Sequence, residues 1–124
     1  FRHQIIFNGE IYNYKLLRKS LEQKGLKFTT SSDTEVLFKG LILEGKQFIL
    51  KLEGMFSFAF FDRKFKQLIL ARDHFGIKPL YYHQDGSGFS FCSELPTLIN
   101  SLEIKPSLNP TQLFDYLHYF GTSD

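Results

Sequence analysis

The sequence predicts an α+β fold in which sheets are layered with helices. Three observations carry this. Two amphipathic helical patterns occupy the first half of the chain. A central pair of strands is apolar on both faces, so each face needs a cover. A glycine-rich hairpin signal follows, and then two short helical segments.

The elements follow in order. Gln4 to Phe7 is a short apolar run with β-branched residues, read as a strand that stops at Asn8-Gly9. From Asn13, an N-cap residue type, Tyr14, Leu17 and Leu21 recur on one helical face, and Gly25 suits the left-handed residue that ends a helix. Lys27 to Thr30 reads as a brief strand. Ser32-Asp33-Thr34-Glu35 reads as a capping box for a second helix, with Val36, Leu37 and Leu41 as its buried stripe and Gly45 as its stop. Phe48 to Leu52 adds one helical turn before Gly54.

The middle of the chain is β. Met55 to Phe61 sets Phe56, Phe58 and Phe60 against Ser57, Ala59 and Phe61, with no charge on either face. Gln67 to Ala71 behaves likewise, after a polar turn over Asp62 to Lys66. Pro79 to His83 and Phe89 to Cys92 pair across Asp85-Gly86-Ser87-Gly88. Pro96 to Ser101 and Pro110 to Phe120 read as helices, the second with Leu113, Phe114 and Leu117 on one face.

Composition narrows the function. The 124 residues make one domain at most, and 43% apolar with 23% charged residues is globular rather than disordered. Fifteen Lys+Arg against 13 Asp+Glu leave a net charge of +2 and no basic run, which argues against nucleic acid as a partner. One cysteine excludes an internal disulfide or a cysteine zinc cage. No apolar stretch approaches the roughly 20 residues that span a bilayer, and no signal peptide is visible, so the expected setting is cytoplasmic, without a membrane partner. Fifteen Phe and six Tyr supply material for a core. The chain opens at Phe1 without an initiator Met, and reads as a piece of something longer.

Few residues invite chemistry. Asn8-Gly9-Glu10 has two readings. One is a tight type I′ turn. The other is an oxyanion hole, in which a carboxamide N–H and a glycine backbone N–H converge on one oxygen. The helical spacing after Asn13 favours the second, because no returning strand follows Gly9. Asp33 sits at a helix mouth, where the macrodipole favours a carboxylate and where it could also pair with the ammonium of an amino-acid ligand. Arg72-Asp73 at a strand end reads as a structural ion pair that fixes a turn. His3, His74, His83 and His118 lack ligand spacing, so no metal site is expected. Cys92 has no basic neighbour and reads as a small buried hydrophobe. No glycine-rich phosphate loop appears.

Four stretches together resemble a known family. Phe7-Asn8-Gly9-Glu10-Ile11-Tyr12-Asn13-Tyr14, Ser31-Ser32-Asp33-Thr34-Glu35-Val36 and Leu52-Glu53-Gly54-Met55-Phe56-Ser57-Phe58-Ala59 are similar to the class II glutamine amidotransferase domain. The run from Ala71-Arg72-Asp73-His74-Phe75-Gly76-Ile77-Lys78-Pro79 to Tyr82, with Ser93-Glu94-Leu95, resembles the glutamine-hydrolysing asparagine synthetases. On this resemblance residues 1–105 are the C-terminal portion of a glutaminase domain, and residues 106–124 begin the connection to a synthetase domain.

The resemblance implies part of a four-layer αββα N-terminal-nucleophile hydrolase sandwich. It implies a cysteine nucleophile at a mature N-terminus, with its own α-amino group as base, attacking the side-chain amide of glutamine to give a thioester. The ammonia passes to a synthetase domain of the same parent chain, where ATP and Mg²⁺ activate aspartate. Asn8 and Gly9 match the oxyanion-hole positions, Asp33 the carboxylate that holds the α-ammonium of glutamine, and Glu10 a residue lining the same pocket. Arg72 and Asp73 are read as structural support. The resemblance requires no cofactor within these residues and leaves a homodimer open.

The sequence departs from the family pattern where the nucleophile belongs. Phe1 has no thiol, and Cys92 carries a peptide bond where the mechanism needs a free amine. The matching arginine for the substrate carboxylate is also missing. These residues by themselves are therefore expected not to hydrolyse glutamine, and open sheet edges are expected to make them self-associate. Two other readings stand beside this one: another class II amidotransferase, acting on phosphoribosylpyrophosphate or a sugar, and a non-catalytic glutamine-binding or interaction module.

Overall fold

The computed structural model describes residues 1–86, 88–102 and 107–119. It divides at Leu80/Tyr81 into two compact units.

The first unit is a three-stranded antiparallel sheet with helices on one face. Its strands β1 (His3–Ile11), β2 (Gly54–Asp62) and β3 (Gln67–Arg72) lie in the order β1-β2-β3. Helices α1 (Tyr14–Gln23) and α2 (Asp33–Glu44) and a 3₁₀ segment (Gly45–Lys51) connect β1 to β2. The alternation along β1 puts His3, Ile5, Phe7 and Ile11 on the covered face and leaves Gln4, Ile6, Asn8 and Glu10 exposed. Phe56, Phe58 and Phe60 of β2 continue the covered face and pack with Leu17, Leu21, Val36, Leu37 and Leu41 of the helices. Ser57 and Ala59, on the other face of β2, are buried too, as the two-sided apolar pattern predicts. Phe48 is 1% exposed, and its ring fills the space that a side chain at Gly40 would occupy, which holds α2 against the 3₁₀ turn.

The helix boundaries follow the local chemistry. Gly25 (φ 88°) ends α1 with paired bonds, Gly25 N–H to the Glu22 carbonyl and Leu26 N–H to the Leu21 carbonyl, a Schellman closure. The Ser32 hydroxyl accepts from Glu35 N–H at 3.2 Å and caps α2. The other half of the expected box does not form. The Glu35 carboxylate instead takes the N–H groups of Thr29 and Thr30 and pairs with Lys39 at 2.6 Å. Those two N–H groups are thereby held by a carboxylate, and Lys27 to Thr30 is a loop, not the strand the sequence suggests.

The second unit holds the hairpin β4 (Tyr81–Asp85) and β5 (Gly88–Cys92), with α3 (Leu95–Ser101) packed on it, and α4 (Pro110–Tyr119). Asp85 and Gly88 are cross-strand partners, so the hairpin falls where its glycines predict, while Pro79 and Leu80 lie outside the strand. The Asn109 side chain accepts from Thr111 and Gln112 N–H and caps α4. Phe120 lies outside the described residues. No helix among the described residues is long and apolar enough to cross a membrane.

Candidate active site

Asn8-Gly9 makes neither a turn nor a strand end. β1 runs through it to Ile11, pairing Asn8 with Ser57, Gly9 with Phe56 and Glu10 with Met55. The strand that the sequence stops at Phe7 is thus four residues longer, because pairing with β2 overrides the local turn preference of Asn-Gly.

The ladder fixes where the Gly9 N–H points. Phe56, opposite Gly9, gives both its main-chain polar groups to Asp73 on the far side of β2. Its N–H donates to Asp73 Oδ2 at 3.2 Å, and its carbonyl accepts from Asp73 N–H at 2.8 Å. Gly9 and Phe56 therefore form a non-hydrogen-bonded pair, and the Gly9 N–H points away from β2, out of the edge of β1. Ile11, two residues on, shows the same direction: its N–H leaves the sheet and donates to Asp33 Oδ2 at 3.0 Å. Gly9 is also required sterically, since a Cβ there would stand 2.1 Å from the Met55 carbonyl oxygen.

Asp33 is the first residue of α2. Its Oδ1 accepts from Thr34 N–H at 2.7 Å while Oδ2 holds Ile11. One carboxylate thus ties the helix mouth to the edge of β1; Oδ1 also accepts from the Thr34 hydroxyl at 3.4 Å, while Oδ2 keeps a second lone pair for a ligand. Asp33, Gly9, Glu10, Tyr14, Ser31 and Ser32 line one cavity of ≈ 330 Å³. The structure therefore gathers Gly9, Glu10 and Asp33 from two separate sequence stretches. The Asn8 side chain projects from the exposed face beside them and has no hydrogen-bond partner among the described residues. Asn13, whose backbone carbonyl opens α1, uses its carboxamide to bridge to Lys51 and Glu53 and so fixes the return of the chain toward β2.

Arg72 and Asp73 stand apart from the cavity lining, and they do not form the ion pair the sequence suggests. Asp73 is buried, and its carboxylate accepts four backbone N–H groups, from Phe56, Phe75, Ile77 and Lys78, at 3.0–3.2 Å. Burial alone would raise its pKa, but these four donors outweigh it and lower the carboxyl to about 2. The main-chain donors satisfy the carboxylate, so the guanidinium of Arg72 is not needed there and lies over Gly76 instead. Asp73 does fix the turn, by backbone capture. The sequence signal was available: an aspartate at a strand end with Gly76 three residues on is an Asx-turn pattern. Ser31, Ser32 and Tyr14 as cavity walls were not legible, because only the fold brings them to β1.

A strand-edge glycine N–H and a carboxylate at a helix mouth across one small cavity, with the Asn8 carboxamide beside that glycine but outside the cavity wall, suit the capture of an amino acid with a polar carbonyl. The glutamine amidotransferase domain family matches residues 1–124, and the chain belongs to that family. Among its relatives are the asparagine synthetase [glutamine-hydrolyzing] 1 of Bacillus subtilis, 44% identical over 97% of this chain and 20% of its own length. The asparagine synthetase [glutamine-hydrolyzing] 2 of Arabidopsis thaliana is 41% identical over 89% of this chain and 19% of its own. Of solved structures, the glutamine phosphoribosylpyrophosphate amidotransferase of B. subtilis superposes with a TM-score of 0.68 at 28% identity, covering 82% of this chain and 23% of that one. The α+β fold is that of the N-terminal-nucleophile amidotransferases. The chain spans about a fifth of the length of these curated relatives.

Proposed function

We propose that these residues form the oxyanion hole and the ammonium contact of a glutaminase site that supplies ammonia for asparagine synthesis. The observation that carries this reading is the Gly9 N–H, held at the open edge of β1 above the cavity that Asp33 closes. As a nucleophile adds to the glutamine side-chain amide, the carbonyl oxygen gains negative charge. The Gly9 N–H and the Asn8 carboxamide N–H stabilise it, without reorganisation at the moment of reaction. Asp33 takes the α-ammonium, and Glu10 lines the same pocket.

The attacking thiol must come from outside the residues placed in this site, because Cys92 lies within strand β5 and its nitrogen is a peptide nitrogen. ATP and Mg²⁺ would serve the activation of aspartate in a synthetase domain, and no residue here is assigned to them. Greater identity to asparagine synthetases than to the phosphoribosylpyrophosphate enzyme supports aspartate as the eventual acceptor.

The test is ammonia release from glutamine by the complete polypeptide that contains these residues. Asn8→Ala removes one oxyanion donor and is expected to lower kcat by about 10²–10³ with the melting temperature unchanged. Undiminished kcat in that variant would contradict the reading.

A further inference from the structure

We infer that Glu35 is a positioning residue for the glutamine pocket, acting through Thr30 and Ser32 to hold the serine wall of the cavity in place. The inference rests on the glutaminase reading above and adds a residue to it.

The segment from Lys27 to Ser32 is neither helix nor strand, so its main-chain groups need partners from elsewhere. Side chains of α1 and α2 supply them. Lys39 donates to the Lys27 carbonyl. The Glu35 carboxylate accepts Thr29 N–H at 2.9 Å and Thr30 N–H at 2.6 Å, and the hydroxyls of the same two threonines at 3.1 and 2.7 Å. From α1, Arg18 donates to the Thr30 carbonyl at 2.6 Å, and its guanidinium lies 4.8 Å from the centre of the Phe28 ring. Thr30 gives its single hydroxyl proton to Glu35, so Ser32 is the donor in the 3.0 Å contact between the Thr30 and Ser32 hydroxyl oxygens. The Ser32 oxygen in turn accepts Glu35 N–H at 3.2 Å. Glu35 thus holds Thr30 with its carboxylate and Ser32 with its main chain, and the bond between those two closes a ring.

That ring braces the cavity from outside it. Ser31 and Ser32 line the cavity with Gly9, Glu10 and Asp33, whereas Glu35 does not. The serine wall is anchored at both ends. Asp33 fixes one end through the Ile11 N–H, and Thr30 fixes the other through Glu35 and Arg18. With both anchors made before a substrate arrives, binding carries no cost of ordering the two serines. Without the Glu35 carboxylate, two main-chain N–H groups and two hydroxyls lose their acceptor, and only Arg18 still holds Thr30. The bond from Ile11 to Asp33 and the Gly9 N–H are left as they were. The loss therefore falls on binding and not on the oxyanion.

The test uses the complete polypeptide with Glu35→Gln, Arg18→Met and, as a control, Glu44→Gln. A carboxamide has one acceptor oxygen and cannot satisfy all the donors that the Glu35 carboxylate holds. Arg18→Met removes the bond to the Thr30 carbonyl and keeps an apolar stem against Phe28. Glu44, at the other end of α2, pairs with Lys24 and Lys51 and has no part in the loop, so its variant shows what loss of a paired carboxylate from this helix does by itself. Glu35→Gln is expected to raise KM for glutamine about tenfold with kcat within about twofold, the split that marks lost ground-state binding. Arg18→Met is expected to raise KM about threefold, and Glu44→Gln to leave it within about twofold whatever it does to the melting temperature. In the first two variants the amide NMR signals of Ser31 and Ser32 are expected to shift while that of Ile11 stays. Absence of ammonia release from the unmodified protein would defeat the glutaminase reading itself. With the unmodified protein active, a folded Glu35→Gln that keeps its KM, that matches Glu44→Gln, or that raises KM with the two serine amides unmoved would overturn the inference. If Glu35→Gln fails to fold, Arg18→Met decides by the same readouts.

Discussion

Gly9 and Gly54 lie diagonally across the β1–β2 ladder, and each leaves room for the other strand's backbone. A Cβ on Gly9 would stand 2.1 Å from the Met55 carbonyl oxygen, and a Cβ on Gly54 would stand 2.1 Å from the Glu10 carbonyl oxygen. Both residues also have positive φ, 137° and 156°. Close approach and backbone conformation therefore exclude a side chain at both places, and the two strands are drawn together where the cavity begins.

Gly54→Ala is expected to destabilise the fold by about 2–4 kcal/mol, since the clash is with backbone and cannot be relieved by a rotamer change. Gly86→Ala, where a Cβ meets nothing within 4 Å, serves as the reference and is expected to change stability by less than about 0.5 kcal/mol. Urea unfolding of both variants measures the difference. Equal midpoints would show that the strands can part at no cost.

Asp33→Asn keeps the shape of the side chain and one acceptor for the main chain, but removes the charge facing the cavity. A charge-assisted hydrogen bond is worth roughly 1.5–3 kcal/mol, so KM for glutamine is expected to rise about 10- to 100-fold while kcat changes little. Steady-state kinetics of ammonia release separates the two. A fall in kcat with unaltered KM would place Asp33 outside the ammonium contact.

The acid limb of stability follows from four carboxylates. Asp73 has its pKa lowered to about 2 from the ordinary 3.8, because four backbone N–H groups outweigh the cost of its burial. Asp62 is lowered chiefly by its hydrogen bonds with Arg2, Glu35 chiefly by Lys39 and then Thr30, and Glu44 chiefly by Lys24 and then Lys51. A group whose folded pKa lies below its unfolded value favours folding in full above the unfolded value, and that contribution is lost as pH falls through the folded one. The melting temperature is therefore expected to be level above about pH 5 and to fall steadily from about pH 4 to pH 2. Asp73→Asn should lower the plateau and flatten part of that decline. A melting temperature that holds steady down to about pH 2 would contradict the sign.

Much of the fold was legible because it rests on local rules. Ser32 caps α2, Gly25 closes α1, and β2 is buried on both faces from Phe56 to Phe60. What escaped depends on partners distant in sequence. Asn8-Gly9 carries a strong turn preference, yet Ser57 and Phe56 hold it in a strand. Glu35 satisfies Thr29 and Thr30 rather than closing its own capping box. Asp73 sits beside Arg72 in sequence, yet four main-chain donors claim its carboxylate. At the site, the residue types of Asn8, Gly9, Glu10 and Asp33 could be carried over from the family, whereas the direction of the Gly9 N–H needed the register of β1 against β2.

That direction is tested most directly by amide NMR of uniformly nitrogen-15-labelled protein as L-glutamine is added. The Gly9 amide is expected to exchange with solvent faster than those of Asn8 and Glu10, which face β2, and its signal to move downfield as glutamine binds, together with that of Thr34. A Gly9 amide as protected as its neighbours and indifferent to glutamine would contradict the assignment.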